Sequence, residues 1–117
     1  MSILLYGTGM TRFEFDDRVL THLQLVITAK LRRDERFMCT WTLPVLKGGG
    51  RVSIWFDPKI PLCFQYGKVS VGPVNATWLE ELMKSANSVG GMHVIPEPVA
   101  TPLMPAQSTE FAAVVAH

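Results

Sequence analysis

The stretch that decides the fold lies between residues 37 and 66 and reads FMCTWTLPVLKGGGRVSIWFDPKIPLCFQY. Apolar and polar side chains alternate in three short segments of it, 37–43, 51–56 and 62–66. Neighbouring side chains of a strand point to opposite faces, so this alternation predicts three strands with one buried face. We predict that the three strands form a meander. Its tryptophan and phenylalanine side chains supply much of the expected core.

Ahead of this stretch, the sequence predicts a hairpin and a long helix. Residues 3–6 and 11–15 are two short runs separated by glycines, as in paired strands joined by a turn. Asp16 and Asp17 then offer an N-cap and negative charge at the point where apolar residues begin to recur at helical spacing. The predicted helix continues through residues 18–33.

Behind the central stretch, the sequence predicts a second helix and a last strand. Asn75 is the expected N-cap, and Gly90 and Gly91 end the helix. Residues 92–95 form the last short strand. The predicted fold class is α+β, a mainly antiparallel sheet with two helices in the order β-β-α-β-β-β-α-β, followed by a Pro-rich C-terminal tail.

The tail is distinguished by its composition, since four of the eight prolines fall in PEPVATPLMP. We expect a compact domain over residues 1–95 and a flexible tail over residues 96–117. The tail ends in the short apolar segment FAAVVA, which we expect to dock on the domain itself, on a second copy or on another protein. Its candidate partner-binding residues are Phe111, Val114 and Val115. Plain disorder of the tail is the alternative.

The overall composition is that of a globular protein. The chain has 117 residues, of which 48% are hydrophobic and 18% charged, and this length predicts one domain. No apolar run approaches the roughly 18 to 20 residues that a membrane span needs. The N-terminal MSILLYGTG lacks the basic start and the longer apolar region of a secretory signal. We therefore expect a cytoplasmic protein without membrane association.

Six cations are candidate contacts to nucleic acid or another anion. Four of them cluster at the end of the long helix, and two flank the glycine-rich connection inside the meander: Lys30, Arg32, Arg33, Arg36, Lys47 and Arg51. Solvated cations are also common at a helix C-terminus, because they complement the helix dipole. The net charge of +1 argues against a strongly electrostatic partner. If Trp55 faces solvent, it adds a stacking platform beside these cations.

The chain offers no familiar constellation of catalytic or metal-binding residues. Cys39 and Cys63 lie on alternate faces of different predicted strands and match no Cys-x-x-Cys motif, so we predict two reduced thiols. His22 has no second histidine or cysteine at the helical spacing of a metal pair. We predict no metal, no cofactor and no catalytic residue.

Three segments together resemble a family of small actinobacterial proteins of unknown function: FEFDDRVLTHLQLVITAKLRRDERF, GGGRVSIWFDPKIPLCF and WLEELMKSANSVGGMHVIPEP. The resemblance covers residues 4–98. Members of that family are often labelled ATP-dependent DNA ligase, which would imply a lysine nucleophile in a Lys-x-Asp-Gly motif. None of the lysines of this chain leads into that motif. The resemblance therefore implies an association with DNA metabolism and carries no catalytic residue over.

Two functions remain open at this level. The first is a small non-catalytic binding or interaction module of unknown specificity, which acts through a protein partner or through self-association. The alternative is a nucleic-acid-binding accessory module that uses the six cations as phosphate contacts. Salt separates the two, because phosphate contacts weaken as the salt concentration rises.

Overall fold

Two three-stranded sheets and two helices make up the computed structural model, which describes residues 1–99. The strands are β1 (Ser2–Tyr6), β2 (Thr11–Phe15), β3 (Phe37–Thr42), β4 (Arg51–Phe56), β5 (Leu62–Gln65) and β6 (Met92–His93). The helices are α1 (Asp17–Arg32) and α2 (Ala76–Ala86), and a 3-10 turn covers Val45–Lys47. The predicted α+β class and the predicted order of strands and helices are confirmed.

The predicted meander is correct for β3 and β4, which pair antiparallel over their full lengths, and wrong for β5. Strand β5 pairs antiparallel with β1 instead, so the two sheets have the orders β2-β1-β5 and β4-β3-β6. The turn before β5 contains Pro58 and Pro61, whose rings fix the backbone and leave no N–H for continued pairing with β4. The Pro61 carbonyl accepts a hydrogen bond from the Gly7 N–H at 2.9 Å and so starts the pairing with β1.

Both helices begin at their predicted caps. The Asp16 carboxylate accepts a hydrogen bond from the Arg18 N–H, and the Asn75 side-chain oxygen accepts one from the Trp78 N–H, each at 3.2 Å. These bonds satisfy donors that the first turn of a helix leaves without a partner. Within residues 1–99, no helix has both the length and the apolar content needed to cross a membrane.

The core lies between the helices and the inner faces of the two sheets. Trp41 of β3 joins the sheets, since its ring lies 5.3 Å from that of Phe13 and 4.9 Å from that of Phe15 on β2. On the same face of β3, Phe37 stacks on Phe56 of β4 at 5.3 Å. Most of the fully buried apolar side chains come from the two helices, among them Leu20, Leu23, Ile27, Trp78, Leu79 and Leu82.

A glycine sets the close approach between β3 and the turn that follows α2. Gly91 has a φ of +83°, and a Cβ there would lie 2.5 Å from the carbonyl oxygen of Met38. Such a contact forces the turn or the strand to move. At the neighbouring Gly90, a Cβ would meet only the Nε2 of His93, at 3.4 Å. The turn therefore requires glycine at one of these two positions and tolerates a side chain at the other.

We expect Gly91→Ala to lower the free energy of unfolding by at least about 2 kcal/mol, because a left-handed backbone and a steric overlap both oppose the methyl group. Gly90→Ala is the matched control, with an expected change below about 1 kcal/mol. Urea denaturation of the full chain measures both. Equal losses in the two variants would contradict the close approach.

Candidate binding surfaces

A cleft of about 800 Å³ opens where the two sheets meet. It lies between β2, the end of β3 with the loop that follows, and residues 94–96 after β6. Most of its lining is apolar, and its charged residues are Arg12, Glu14, Asp16 and Lys47. This volume falls within the range of clefts that bind ligands. The cleft is therefore the first candidate site.

Strand β2 borders the cleft with an edge whose backbone groups have no partner strand. The Gly7 N–H points toward β5, and hydrogen-bonding groups alternate sides along a strand. Every second residue of β1 therefore directs its backbone N–H and C=O toward β2, and these are the residues opposite Thr11, Phe13 and Phe15. The backbone groups of Arg12 and Glu14 point away from β1, along an edge to which no strand within residues 1–99 is paired.

Strand β3 has a similar open end on the other side of the cleft. The Thr40 carbonyl accepts a hydrogen bond from the Val94 N–H at 3.0 Å, so Thr40 turns its backbone toward β6. By alternation, Thr42 turns its backbone to the same side. Strand β6 is only two residues long and pairs with Cys39 and Thr40, so it stops short of Thr42. The cleft thus lies between two strand edges that belong to different sheets.

Charged side chains at the rim of the cleft are only partly paired. The Lys47 ammonium lies 2.9 Å from a carboxylate oxygen of Glu14. This hydrogen bond, with the accompanying charge attraction, lowers the pKa of Glu14. Arg12 is exposed and forms no ion pair with another residue in the range 1–99. The rim therefore offers the Arg12 guanidinium, the Asp16 carboxylate and one neutralised pair.

An ion pair holds the segment that closes the cleft after β6. The Arg18 guanidinium donates to both carboxylate oxygens of Glu97, at 2.9 and 2.7 Å, and to two carbonyls of the loop before α2. The Asn75 amide donates to Glu97 at 3.1 Å and to the Pro98 carbonyl at 2.9 Å. The bonds from Arg18 and Asn75 lower the pKa of Glu97 to about 2. They tie three residues beyond the expected boundary at Ile95 to the domain.

His22 is buried beside this ion pair and has both ring nitrogens satisfied. Its Nε2 accepts a hydrogen bond from the Asn75 N–H at 2.8 Å, and its Nδ1 donates to the Arg18 carbonyl at 2.7 Å. Since Nε2 is an acceptor, the ring is neutral and carries its proton on Nδ1. The ring also lies 4.4 Å from that of Trp78. Burial lowers the pKa of His22.

These pKa shifts predict two losses of stability on acidification. Unfolded His22 binds a proton near pH 6.5 and the folded form only at lower pH, so stability is lost as the pH falls below about 6.5. Glu97 adds a loss as the pH falls from its ordinary pKa of 4.5 toward its folded pKa of about 2. We expect the denaturation midpoint to follow both steps.

Two variants assign the steps. His22→Gln should remove the fall below pH 6.5, and Glu97→Gln should keep that fall and reduce the loss at lower pH. Urea titrations of the full chain at a series of pH values measure both. A wild-type midpoint that stays constant between pH 7 and pH 5 would contradict the neutral buried histidine.

Lys30, one of the six predicted cation contacts, is buried, with 6% of its surface exposed. Its ammonium donates to the Asn87 side-chain oxygen at 2.6 Å and lies 3.1 Å from a carboxylate oxygen of Glu35. It also lies 5.7 Å from the centre of the Phe37 ring. Lys30 thus joins the end of α1 to the end of α2 and presents no charge to an external phosphate.

The other predicted cations lie on the surface in two separate groups. Those after α1 are Arg32, Arg33 and Arg36, and those beside the glycine-rich connection are Lys47 and Arg51. Arg36 is engaged by Asp57, with its Nε 3.1 Å from a carboxylate oxygen. The two groups lie at opposite ends of β3, about 16 Å apart at the usual rise of a strand. Contact with nucleic acid stays a prediction.

The outer face of the sheet β4-β3-β6 carries an exposed tryptophan. Trp55 is 44% exposed and lies opposite Met38, which is 38% exposed. Arg51 lies on the same face of β4, because its position and that of Trp55 differ by four, an even number. Between them, the hydroxyls of Thr40 and Ser53 are hydrogen-bonded at 2.6 Å. Trp55 thus faces solvent, which is the arrangement that a stacking platform requires.

The remaining groups that the sequence singled out are two thiols and the tail. Cys39 and Cys63 are free, as predicted, and burial raises the pKa of Cys39 to about 12. In the part of the chain from residue 1 to residue 99, no three His, Cys, Asp or Glu side chains could together hold a metal ion. The predicted partner contacts lie outside the described residues: Phe111, Val114 and Val115.

A known protein family matches nearly all of the described part of the chain. Residues 1–97 match a family described as a domain of unknown function, DUF7882. The chain belongs to this family. The matched range contains both sheets, both helices and the cleft, and it ends at Glu97, which Arg18 holds. Neither a curated protein nor a solved structure matches the chain significantly.

Sequence analysis missed the pair of Arg18 and Glu97 and the open edge of β2. The prolines at positions 96 and 98 predict a tail by composition, yet they also hold the backbone around Glu97 in an extended form. A single carboxylate between two prolines was the available signal. The open edge has no comparable signal, because it depends on which strands pair.

Proposed function

We propose that this domain is a non-catalytic interaction module that binds an extended apolar segment of a partner protein in the cleft. The observation that carries the proposal is the outward-facing backbone of Arg12 and Glu14 beside an apolar cleft. A guest strand can exchange hydrogen bonds with these groups and lay alternate side chains into the cleft, which is β-strand addition. The main chain then supplies affinity, and the cleft supplies specificity.

The chemistry of the cleft supports an apolar guest with a polar margin. Phe13, Trp41 and Val52 line it, and each Val or Leu side chain buried there contributes about 1.5 to 3 kcal/mol before ordering costs. The charges of Arg12 and Glu14 along the edge discourage unspecific pairing with a second sheet. Such an edge favours a selected partner over aggregation.

The ionisation of the rim supports binding rather than proton transfer. Lys47 holds the pKa of Glu14 below its usual range, so this carboxylate stays ionised at neutral pH and is a weak proton acceptor. Both cysteines are free thiols, which supports a reducing compartment such as the cytoplasm as the place of action.

A displayed library of random dodecapeptides tests the proposal against the full chain. We expect selected peptides to share alternating apolar residues and to bind at least about tenfold more weakly to Leu43→Asp, which puts a charge on the cleft wall. Leu46→Asp is the matched control, because Leu46 lies in the same loop, is fully exposed and does not line the cleft.

Arg12→Glu provides a second test, since this exposed residue changes the edge of β2 without touching the core. It should alter which peptides are selected. Failure to enrich any peptide, or equal weakening by Leu43→Asp and Leu46→Asp, would overturn the assignment of the cleft.

We propose single-stranded nucleic acid as a second candidate ligand, on the outer face of the sheet β4-β3-β6. The exposure of Trp55 on the same face of β4 as Arg51 favours it, because bases stack on aromatic rings while cations contact phosphates. The resemblance to proteins labelled DNA ligase agrees with such a ligand. Arg32, Arg33 and Arg36 would extend the contact from the other end of β3, and Lys47 would flank Arg51.

Binding of labelled oligothymidine and of a duplex at about 50 and 200 mM salt tests this candidate. We expect Trp55→Ala to weaken binding of the single strand at least about fivefold and Trp55→Phe to preserve most of it. Arg51→Gln should reduce the salt dependence. No binding at the lower salt concentration, or an affinity that does not change with the salt concentration, would exclude the outer face as a nucleic-acid site.

A further inference from the structure

We infer that the chain's own C-terminal segment, residues 111–116, occupies the cleft intramolecularly and competes there with the partner peptide. The inference rests on the proposed function, because it uses the same cleft and the same open edge of β2. It goes further in naming an occupant, the sequence FAAVVA, and in giving that occupant a regulatory role.

The reach of the chain permits this docking. Residues 94–96 line the cleft, and the Glu97 carboxylate is held by Arg18 at 2.7 Å, so the polypeptide leaves the domain beside the cleft. Twelve residues lead from Val99 to Phe111 and span up to about 40 Å when extended. That length equals the longest dimension of the domain, 40 Å. A return to the cleft therefore needs only a partly extended connection.

The segment also matches the edge in length and chemistry. Six residues of strand span about 20 Å, slightly more than the five residues of β2. Alternation places Phe111 and Val115 on one face of such a strand, together with the small Ala113. The carboxylate of Glu110 precedes the segment and complements Arg12, which forms no ion pair among residues 1–99.

Tethering makes this docking effective even when the contact is weak. A short linker presents the segment to the cleft at an effective concentration on the order of millimolar. A partner peptide must displace it. The apparent affinity for the partner is therefore the intrinsic affinity multiplied by the fraction of molecules whose cleft is free. The tail then sets a threshold for partner binding.

Amide hydrogen exchange of the full chain, resolved by residue, tests the inference. We expect the Arg12 and Glu14 amides to exchange at least about tenfold faster in Val115→Asp than in wild type, since Val115 shares the cleft-facing side of the guest strand with Phe111 and a charge there removes that strand. Gln107→Asp is the matched control, with the same charge in the tail outside the apolar segment, and should exchange as wild type does. The exchange rate of the Leu79 amide within α2 should be the same in wild type and in both variants.

Peptide binding and mass complete the test. A library-selected peptide should bind Val115→Asp about tenfold more tightly than wild type, and light scattering should give a monomer. Equal exchange in the three proteins would overturn the inference, and the proposed function would stand if the peptide still binds the cleft. A dimer that Val115→Asp dissociates would overturn intramolecular docking. Protected amides in wild type without peptide binding to any variant would support the docked tail and defeat the partner function.

Discussion

One ion pair, between Arg18 at the start of α1 and Glu97 after β6, joins three separate parts of the domain. Two hydrogen bonds join the side chains, and the guanidinium also binds carbonyls of the loop before α2. Asn75 links the same carboxylate to the cap of α2. Bidentate geometry makes such pairs stronger and more directional than single contacts. Both helix starts and one side of the cleft therefore share a single anchor.

The division of the strands into two sheets explains where a binding surface can exist. In a single continuous sheet, β2 and β3 would have had neighbours along most of their length. Here Trp41 packs between Phe13 and Phe15, which brings the sheets together through side chains and leaves their backbone edges apart. The cleft occupies that junction. Hydrogen-bonding capacity along an edge is costly to leave beside apolar surface unless water or a guest strand satisfies it.

Two buried polar residues show the limit of reading a helix alone. The periodicity of α1 predicts its apolar stripe, but His22 and Lys30 are buried for reasons that lie elsewhere in the chain. His22 accepts a hydrogen bond from the Asn75 N–H. The Lys30 ammonium donates to Asn87 and forms an ion pair with Glu35. A polar side chain enters a core only when such partners meet it. The burial of the Lys30 side chain is therefore a feature that the pattern of α1 does not reveal.

By itself, the sequence determined the α+β class, the order of strands and helices, the helix caps and the pairing of β3 with β4. These features follow from local periodicity, from the hydrogen-bonding needs of helix ends and from short connections. Only the tertiary structure decided that β5 joins β1, that Arg18 meets Glu97 and that β2 keeps an open edge beside the cleft. Contacts between residues far apart in the chain depend on the packing of whole faces, which a one-dimensional pattern does not contain.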